Sequence, residues 1–216
     1  MSGWGIMPET IAIIDYGVGN LFSLQSSFAA IGERATVVRD PAEAARAARL
    51  LLPGVGAFGD AAARLRSSGM DRAILEALDR GAALLGVCLG MQLLFDESLE
   101  YGRHAGLGLI PGVVRPIAEL IPPELKIPHI GWNALRFRKE SPLFRRIREG
   151  DHVYFVHSYA AVDCADSVIA TADYGAPLTA AVQRGRVYGC QFHPEKSGDV
   201  GLRILKAFCE TEACPC

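Results

Sequence analysis

The chain has 216 residues, of which 50% are hydrophobic and 21% charged, and its formal net charge is -2. That length suits one large domain that buries a substantial core. The near-neutral balance gives no electrostatic reason to expect nucleic acid or an anionic membrane as partner, and no run of about eighteen apolar residues suggests a transmembrane helix.

The opening "MSGWGIMPET" lacks a basic region followed by an apolar segment, so no secretory signal is expected. Residues 1–10 read as an extension, 11–210 as the domain and 211–216 as a tail. With the cytoplasm as the expected compartment, the six cysteines are expected to be mostly reduced. "TIAIIDYG" is a strand ending in a turn, and "NLFSLQSSFAAIG" is a helix closed by Gly32, which tolerates a left-handed cap. "RATVVRD" is a second strand, and Pro41 starts the helix "PAEAARAA". "RLLLPGVGAFG" runs from a third strand into a glycine-rich loop. The helical pair in "DAAARLRSSGMDRAILEALDRG" then leads to the strand "AALLGV". Such alternation implies a largely parallel sheet covered on both faces.

From about residue 107 the pattern changes to short β-type runs: "GLGLIPGVVRPI", "LKIPHIGWNALRF", "HVYFVHSYAAV", "SVIATADYG", "LTAAVQRG" and "RVYGCQFHPE". The helix "DVGLRILKAFCE" ends the domain. The expected fold is therefore α/β: a mixed, mainly parallel open sheet flanked by helices, with antiparallel strands added in the second half.

Chemistry concentrates in three places. In "GVCLG" the strand Ala83 to Val87 runs into a helix beginning near Leu89, with Cys88 at the junction and Leu93 and Leu94 on the helix's far side. Gly86 and Gly90 make this a thiol counterpart of the nucleophile elbow, which needs little bulk beside the turn. A sulfur at a helix N-terminus is favoured as thiolate, and the Leu89 N–H points at the same place. The same pentapeptide also fits a buried core cysteine. In "GCQFHPEKS", His193 and Glu195 stand two apart in an extended segment, so the carboxylate can orient the imidazole. His104, His129, His152 and His157 have no such carboxylate neighbour. The loop "PGVGAFG" opens on the carboxyl edge where parallel sheets bind ligands, and it reads either as an oxyanion loop or as a plain turn. Neither a Walker loop nor a dinucleotide fingerprint is present. The cysteine-bearing tail, Cys209, Cys214 and Cys216, has no nearby histidine and reads as an incidental terminus, so no metal and no cofactor is expected.

"PGVGAFG", "GVCLGMQLLF" and "QFHPEKS", in that order, resemble the class I (triad) glutamine amidotransferases, whose core is flavodoxin-like. "IDYGVGNLFSL", "GLGLIPG", "HIGWN" and "YFVHSY" narrow the resemblance to the glutaminase subunits of imidazole glycerol phosphate synthases in histidine biosynthesis. It implies that Cys88 attacks the side-chain amide of glutamine to give a γ-glutamyl thioester and ammonia, with His193 as acid and base and Glu195 as its orienter. It implies an oxyanion hole at Leu89 with Val55 or Gly56, and substrate contacts at Gln92 and the backbone of His157, Ser158 and Tyr159. The implied partner is a (βα)8-barrel cyclase in a heterodimer. Asn20, Trp132 and Asn133 would lie on the docking face, with Tyr154 and Lys196 near the ammonia exit. Such subunits are commonly weak glutaminases until the partner binds its nucleotide, and a "PGVG" peptide flip would give that behaviour a physical cause. Three other readings compete: the glutaminase component of an anthranilate or aminodeoxychorismate synthase, a non-catalytic docking subunit, and a cysteine hydrolase on the same elbow.

Overall fold

The structure, a computed structural model, describes residues 10–212. The expected extension before residue 11 lies almost wholly outside the described residues, as do Cys214 and Cys216 of the tail. Strands β1 (Ile11–Ile14), β2 (Ala35–Val38), β3 (Arg49–Leu52) and β4 (Ala83–Val87) lie parallel in the order β2-β1-β3-β4. Helix α1 (Leu21–Ala30) starts where the Asn20 side chain accepts from the Ser23 N–H, and the chain turns at Gly32 with φ +75°. Helix α2 (Pro41–Ala44) is shorter than the sequence suggested. After Ala44 the bonds Arg46 N–H to Glu43 O and Ala47 N–H to Ala44 O span three residues, which tightens the chain into a turn toward β3. The helical pair is present as α3 (Phe58–Ser67) and α4 (Met70–Asp79).

The elbow helix α5 (Leu89–Gln92) is a single turn, which corrects the longer helix read from the apolar run. Leu93 caps it. The carbonyl of Leu94 then accepts from the Leu109 and Ile110 N–H groups, drawing the chain into β5 (Phe95–Ser98). With β6 (His104–Ala105), β7 (Ile110–Pro116) and, later, β10 (Tyr159–Val162), this strand makes a separate four-stranded sheet ordered β10-β7-β5-β6. Nothing in the residue pattern marks that second sheet. Strands β8 (His129–Phe137), β9 (His152–His157), β11 (Val168–Asp173) and β12 (Pro177–Arg184) extend the main sheet antiparallel, as expected. Between them and β4 sits β13 (Val187–Cys190), parallel to β4 and antiparallel to β12, completing nine strands ordered β2-β1-β3-β4-β13-β12-β11-β8-β9. Helix α6 (Gly198–Cys209) closes the domain. Among the described residues no helix is long and apolar enough to cross a membrane.

Strand periodicity divides the core between the two faces of the sheet. Ile11, Ile13, Leu51 and Leu85 pack with Leu24 and Phe28 of α1 and Ile204 and Phe208 of α6. Ala12, Ile14, Leu50 and Leu84 pack on the other face with Leu65 of α3 and Ile74 of α4. The run "HVYFVHSYAAV" breaks at Ser158, because β9 belongs to the main sheet and β10 to the small one.

Two glycines let the elbow sit where it does. A Cβ on Gly90 would stand 1.9 Å from the Leu52 carbonyl oxygen, and one on Gly86 would stand 2.6 Å from the Gly90 carbonyl oxygen. Both obstacles are backbone, so no side chain can swing aside to relieve them. Gly90→Ala is expected to cost about 3 kcal/mol, near the upper end for overpacking, and to lower the melting temperature by on the order of 10 °C. Thermal unfolding followed by circular dichroism measures this, and an unchanged Tm would refute the packing argument.

Candidate active site

Cys88 lies between the end of β4 and the start of α5 with φ 55° and ψ -112°, a conformation uncommon outside glycine and costing on the order of 1–3 kcal/mol. Its amide donates to the Cys190 carbonyl at 2.8 Å, and its carbonyl accepts from the Gln92 N–H at 3.2 Å. The turn is thus bonded to β13 on one side and to its own helix on the other. The side chain is 8% exposed, with Gln191 Nε2 at 3.8 Å from Sγ.

His193 follows β13 and opens a short 3-10 turn, Pro194–Lys196. Its amide donates to the Tyr154 carbonyl at 2.9 Å, while Ser197 Oγ donates to the His193 carbonyl and accepts from the Tyr154 N–H. The imidazole is therefore registered against β9 by backbone bonds. His193 Nδ1 stands 2.8 Å from Glu195 Oε1, with both side chains almost fully buried. Glu195 Oε2 is buried without a hydrogen-bond partner, which leaves His193 as the carboxylate's bonded partner. Burial pulls the imidazole pKa down, but hydrogen bonds and charge attraction from Cys88 and Glu195 outweigh it and raise it to about 9.

Cys88 and His193 open onto one cavity of about 590 Å³, a size typical of small-molecule sites. Every residue singled out for oxyanion or substrate contact lines it: Val55, Gly56, Leu89, Gln92, His157, Ser158 and Tyr159, together with Cys88, His193 and Lys196. Val55 is 44% exposed and Gly56 has φ +94°. The loop is anchored just before them, where the buried Tyr16 hydroxyl donates to the Pro53 carbonyl at 2.7 Å. Burial and the nearby Cys88 push the Tyr16 pKa upward, which keeps it a donor. Gln92 Nε2 donates to Tyr159 O at 3.2 Å and to Gln191 Oε1 at 3.0 Å.

The residues assigned to docking divide. Lys196 Nζ lies 5.9 Å from the centre of the Tyr154 ring, and Tyr154 meets Trp132 edge to face at 6.0 Å. Trp132 is 52% exposed, and Asn133 follows it on β8. Asn20 is exposed at the head of α1 and does not line the cavity. Among the described residues no cluster of three or more His, Cys, Asp or Glu is arranged to hold a metal. The described cysteines Cys88, Cys164, Cys190 and Cys209 are unpaired.

Sequence reasoning missed Glu100, a buried wall residue whose Oε2 accepts the Phe58 N–H at 2.6 Å and so caps α3 beyond the loop. A lone acidic residue in a turn carried no signal for this. It also missed Gln191 beside the sulfur, although its place two residues before His193 on the same strand-end run put it on the same side.

The family model for the class-I glutamine amidotransferases matches residues 12–211. The chain is 47% identical over 202 residues to the imidazole glycerol phosphate synthase subunit HisH of Wolinella succinogenes, covering 93% of this chain and 98% of that one. It is 50% identical over 202 residues to the subunit of the same name from Syntrophotalea carbinolica, covering 92% and 98%. Among solved structures it resembles a glutamine amidotransferase with TM-score 0.71 at 20% identity, covering 91% of this chain and 98% of that one. The PurLQS structure from Thermotoga maritima gives 0.70 at 19%, covering 94% and 98%. At those identities the structural matches speak for the fold.

The raised His193 value has a sign that stability measurements detect. A group whose folded pKa lies above its ordinary 6.5 stabilises the fold fully below pH 6.5 and loses that contribution as pH rises through about 9. The difference in Tm between the native chain and His193→Gln is therefore expected to shrink between those limits. A difference independent of pH would show that the imidazole is not held charged.

Proposed function

The chain belongs to the class I glutamine amidotransferases, and within them to the HisH glutaminase subunits of imidazole glycerol phosphate synthase in histidine biosynthesis; on that membership we propose how its cavity hydrolyses glutamine. The observation carrying the proposal is the strained Cys88 turn sharing one cavity with His193, whose imidazole is bonded at 2.8 Å to the buried Glu195 carboxylate behind it. Cys88 Sγ attacks the δ-carbonyl of glutamine, forming a carbon–sulfur bond and an oxyanion. The N–H of Leu89, at the head of α5, and an N–H of the Val55–Gly56 peptide region receive that charge. Such a donor is worth about 10²–10³ in rate. Collapse breaks the carbon–nitrogen bond while His193 gives its proton to the leaving nitrogen, releasing ammonia and leaving the γ-glutamyl thioester. Water then attacks with His193 as base, and glutamate leaves as the cysteine is restored. Glu195 orients the imidazole throughout. No cofactor or metal enters this cycle.

Support for an adjustable oxyanion loop comes from Gly56, whose φ of +94° only glycine adopts cheaply, and from exposed Val55, which no core contact pins. The ammonia is proposed to leave past Lys196 and Tyr154 into a (βα)8-barrel cyclase docked against Trp132, Asn133 and Asn20. That partner converts it into the imidazole ring. The half-exposed Trp132 beside Tyr154 supports this face as the dock. We place the assembly in the cytoplasm, a compartment that would keep the four described cysteines reduced.

Cys88→Ala is expected to cut glutamate release by at least about 10³-fold with cyclase and nucleotide present. An electrophilic glutamine analogue is expected to add mass at Cys88 alone. Turnover surviving the substitution, or mass appearing on another cysteine, would defeat the mechanism.

A further inference from the structure

Two buried histidines that the mechanism leaves unused meet beside the cavity wall. His129 Nδ1 lies 3.0 Å from His157 Nε2, and the residues are 1% and 6% exposed. His157 Nδ1 faces the Tyr159 carbonyl at 2.8 Å. A carbonyl only accepts, so Nδ1 carries the His157 proton and Nε2 is left as an acceptor. On its other side, His129 Nε2 stands 2.8 Å from Asn133 Oδ1, and Asn133 Nδ2 donates to the Asp173 carbonyl at 2.9 Å. Turning that amide over would set oxygen against carbonyl oxygen, so its second partner fixes its orientation.

The series of contacts continues to the nucleophile. Tyr159 O also accepts from Gln92 Nε2, which reaches Gln191 Oε1, and Gln191 Nε2 lies 3.8 Å from Cys88 Sγ. A line of polar contacts thus runs from Asn133 to the sulfur.

Burial disfavours charge on both rings: it pushes His157 down to about 4 and lowers His129. The nearby His193 opposes a charge on His157 as well. A neutral His129 carries one ring proton yet has two neighbours that can only accept, His157 Nε2 and Asn133 Oδ1. It can bond one of them at a time, and the other contact then sets lone pair against lone pair. Phe155 and Tyr174 stack against the ring at 5.0 and 4.1 Å between centroids, which holds it in place for that choice.

We propose that His129 is a positioning residue acting as a tautomeric coupler: when a docking protein engages Asn133, the single ring proton passes to the His157 side and tightens the Tyr159–Gln92–Gln191 line behind Cys88. This rests on the glutaminase reading and adds to it a residue that touches neither glutamine nor the sulfur.

The test uses the full chain labelled with nitrogen-15, whose long-range proton–nitrogen spectra at neutral pH report which ring nitrogen of each histidine is protonated. Asn133→Ala removes the competing acceptor, so His129 is expected to shift to the Nδ1–H form and the KM for glutamine to fall about three- to tenfold, with kcat changing less than about twofold. His129→Phe keeps the stacking but breaks both bonds, and is expected to raise KM by a similar factor. An unmoved His129 tautomer in Asn133→Ala overturns the coupler, as does a native KM in folded His129→Phe. If His129→Phe does not fold, the tautomer in Asn133→Ala decides alone. Labelling of native Cys88 by an electrophilic glutamine analogue separates the two ideas: no label defeats the glutaminase reading, whereas a label with a fixed tautomer defeats only the coupler.

Discussion

The site depends on how closely the first turn after Cys88 can approach the end of β3. Gly90 lies against the Leu52 carbonyl with no room for a methyl group, and a Cβ on Gly54, two residues beyond Leu52, would stand 2.8 Å from the Gly90 amide nitrogen. That backbone packing sets the Cys88 turn and the "PGVG" loop against each other. Their separation is therefore governed by backbone packing and not by rotamers, so the loop stays beside Cys88 while Gly56, with φ +94°, leaves its peptide free to turn. The Tyr16 hydroxyl on Pro53 O then secures the loop from beneath.

Charge is handled by a different part of the fold. The His193 backbone is tied to Tyr154 through one direct bond and through Ser197, so the imidazole inherits the rigidity of β9. Tyr154 in turn supports Lys196 on its ring and meets Trp132. His193 and the outward aromatic face thus both lean on Tyr154 of β9, and a displacement of β8 or β9 reaches His193 through few bonds.

Much of this was legible in the sequence because its signals are local. The elbow needs small residues at Gly86 and Gly90, and the His193–Glu195 pair needs only the two-residue period of extended chain. Residues far from these motifs were harder to read. The apolar run after Cys88 suggested a longer helix, because leucines fit helix and strand alike; tertiary bonds to Leu94 O turned the chain into β5 instead. The break at Ser158 was invisible, since nothing in "VHSYAA" marks a change of sheet. Glu100 and the His129–His157 contact depend on pairings across distant strands, which single-residue patterns do not encode.

The position of β13 has a consequence for how the molecule comes into being. It is the last strand in the chain, yet it sits in the middle of the main sheet, paired with β4 from Val187 opposite Leu84 to Cys190 opposite Val87. The amide of Cys88 bonds to the Cys190 carbonyl, so even the shape of the Cys88 turn depends on that late strand. A ribosome-bound chain lacking that segment leaves β4 as an unfinished sheet edge, without the Cys190 carbonyl that receives the Cys88 amide. The cavity that holds Cys88 and His193 is therefore completed only when the chain's late segment joins the sheet.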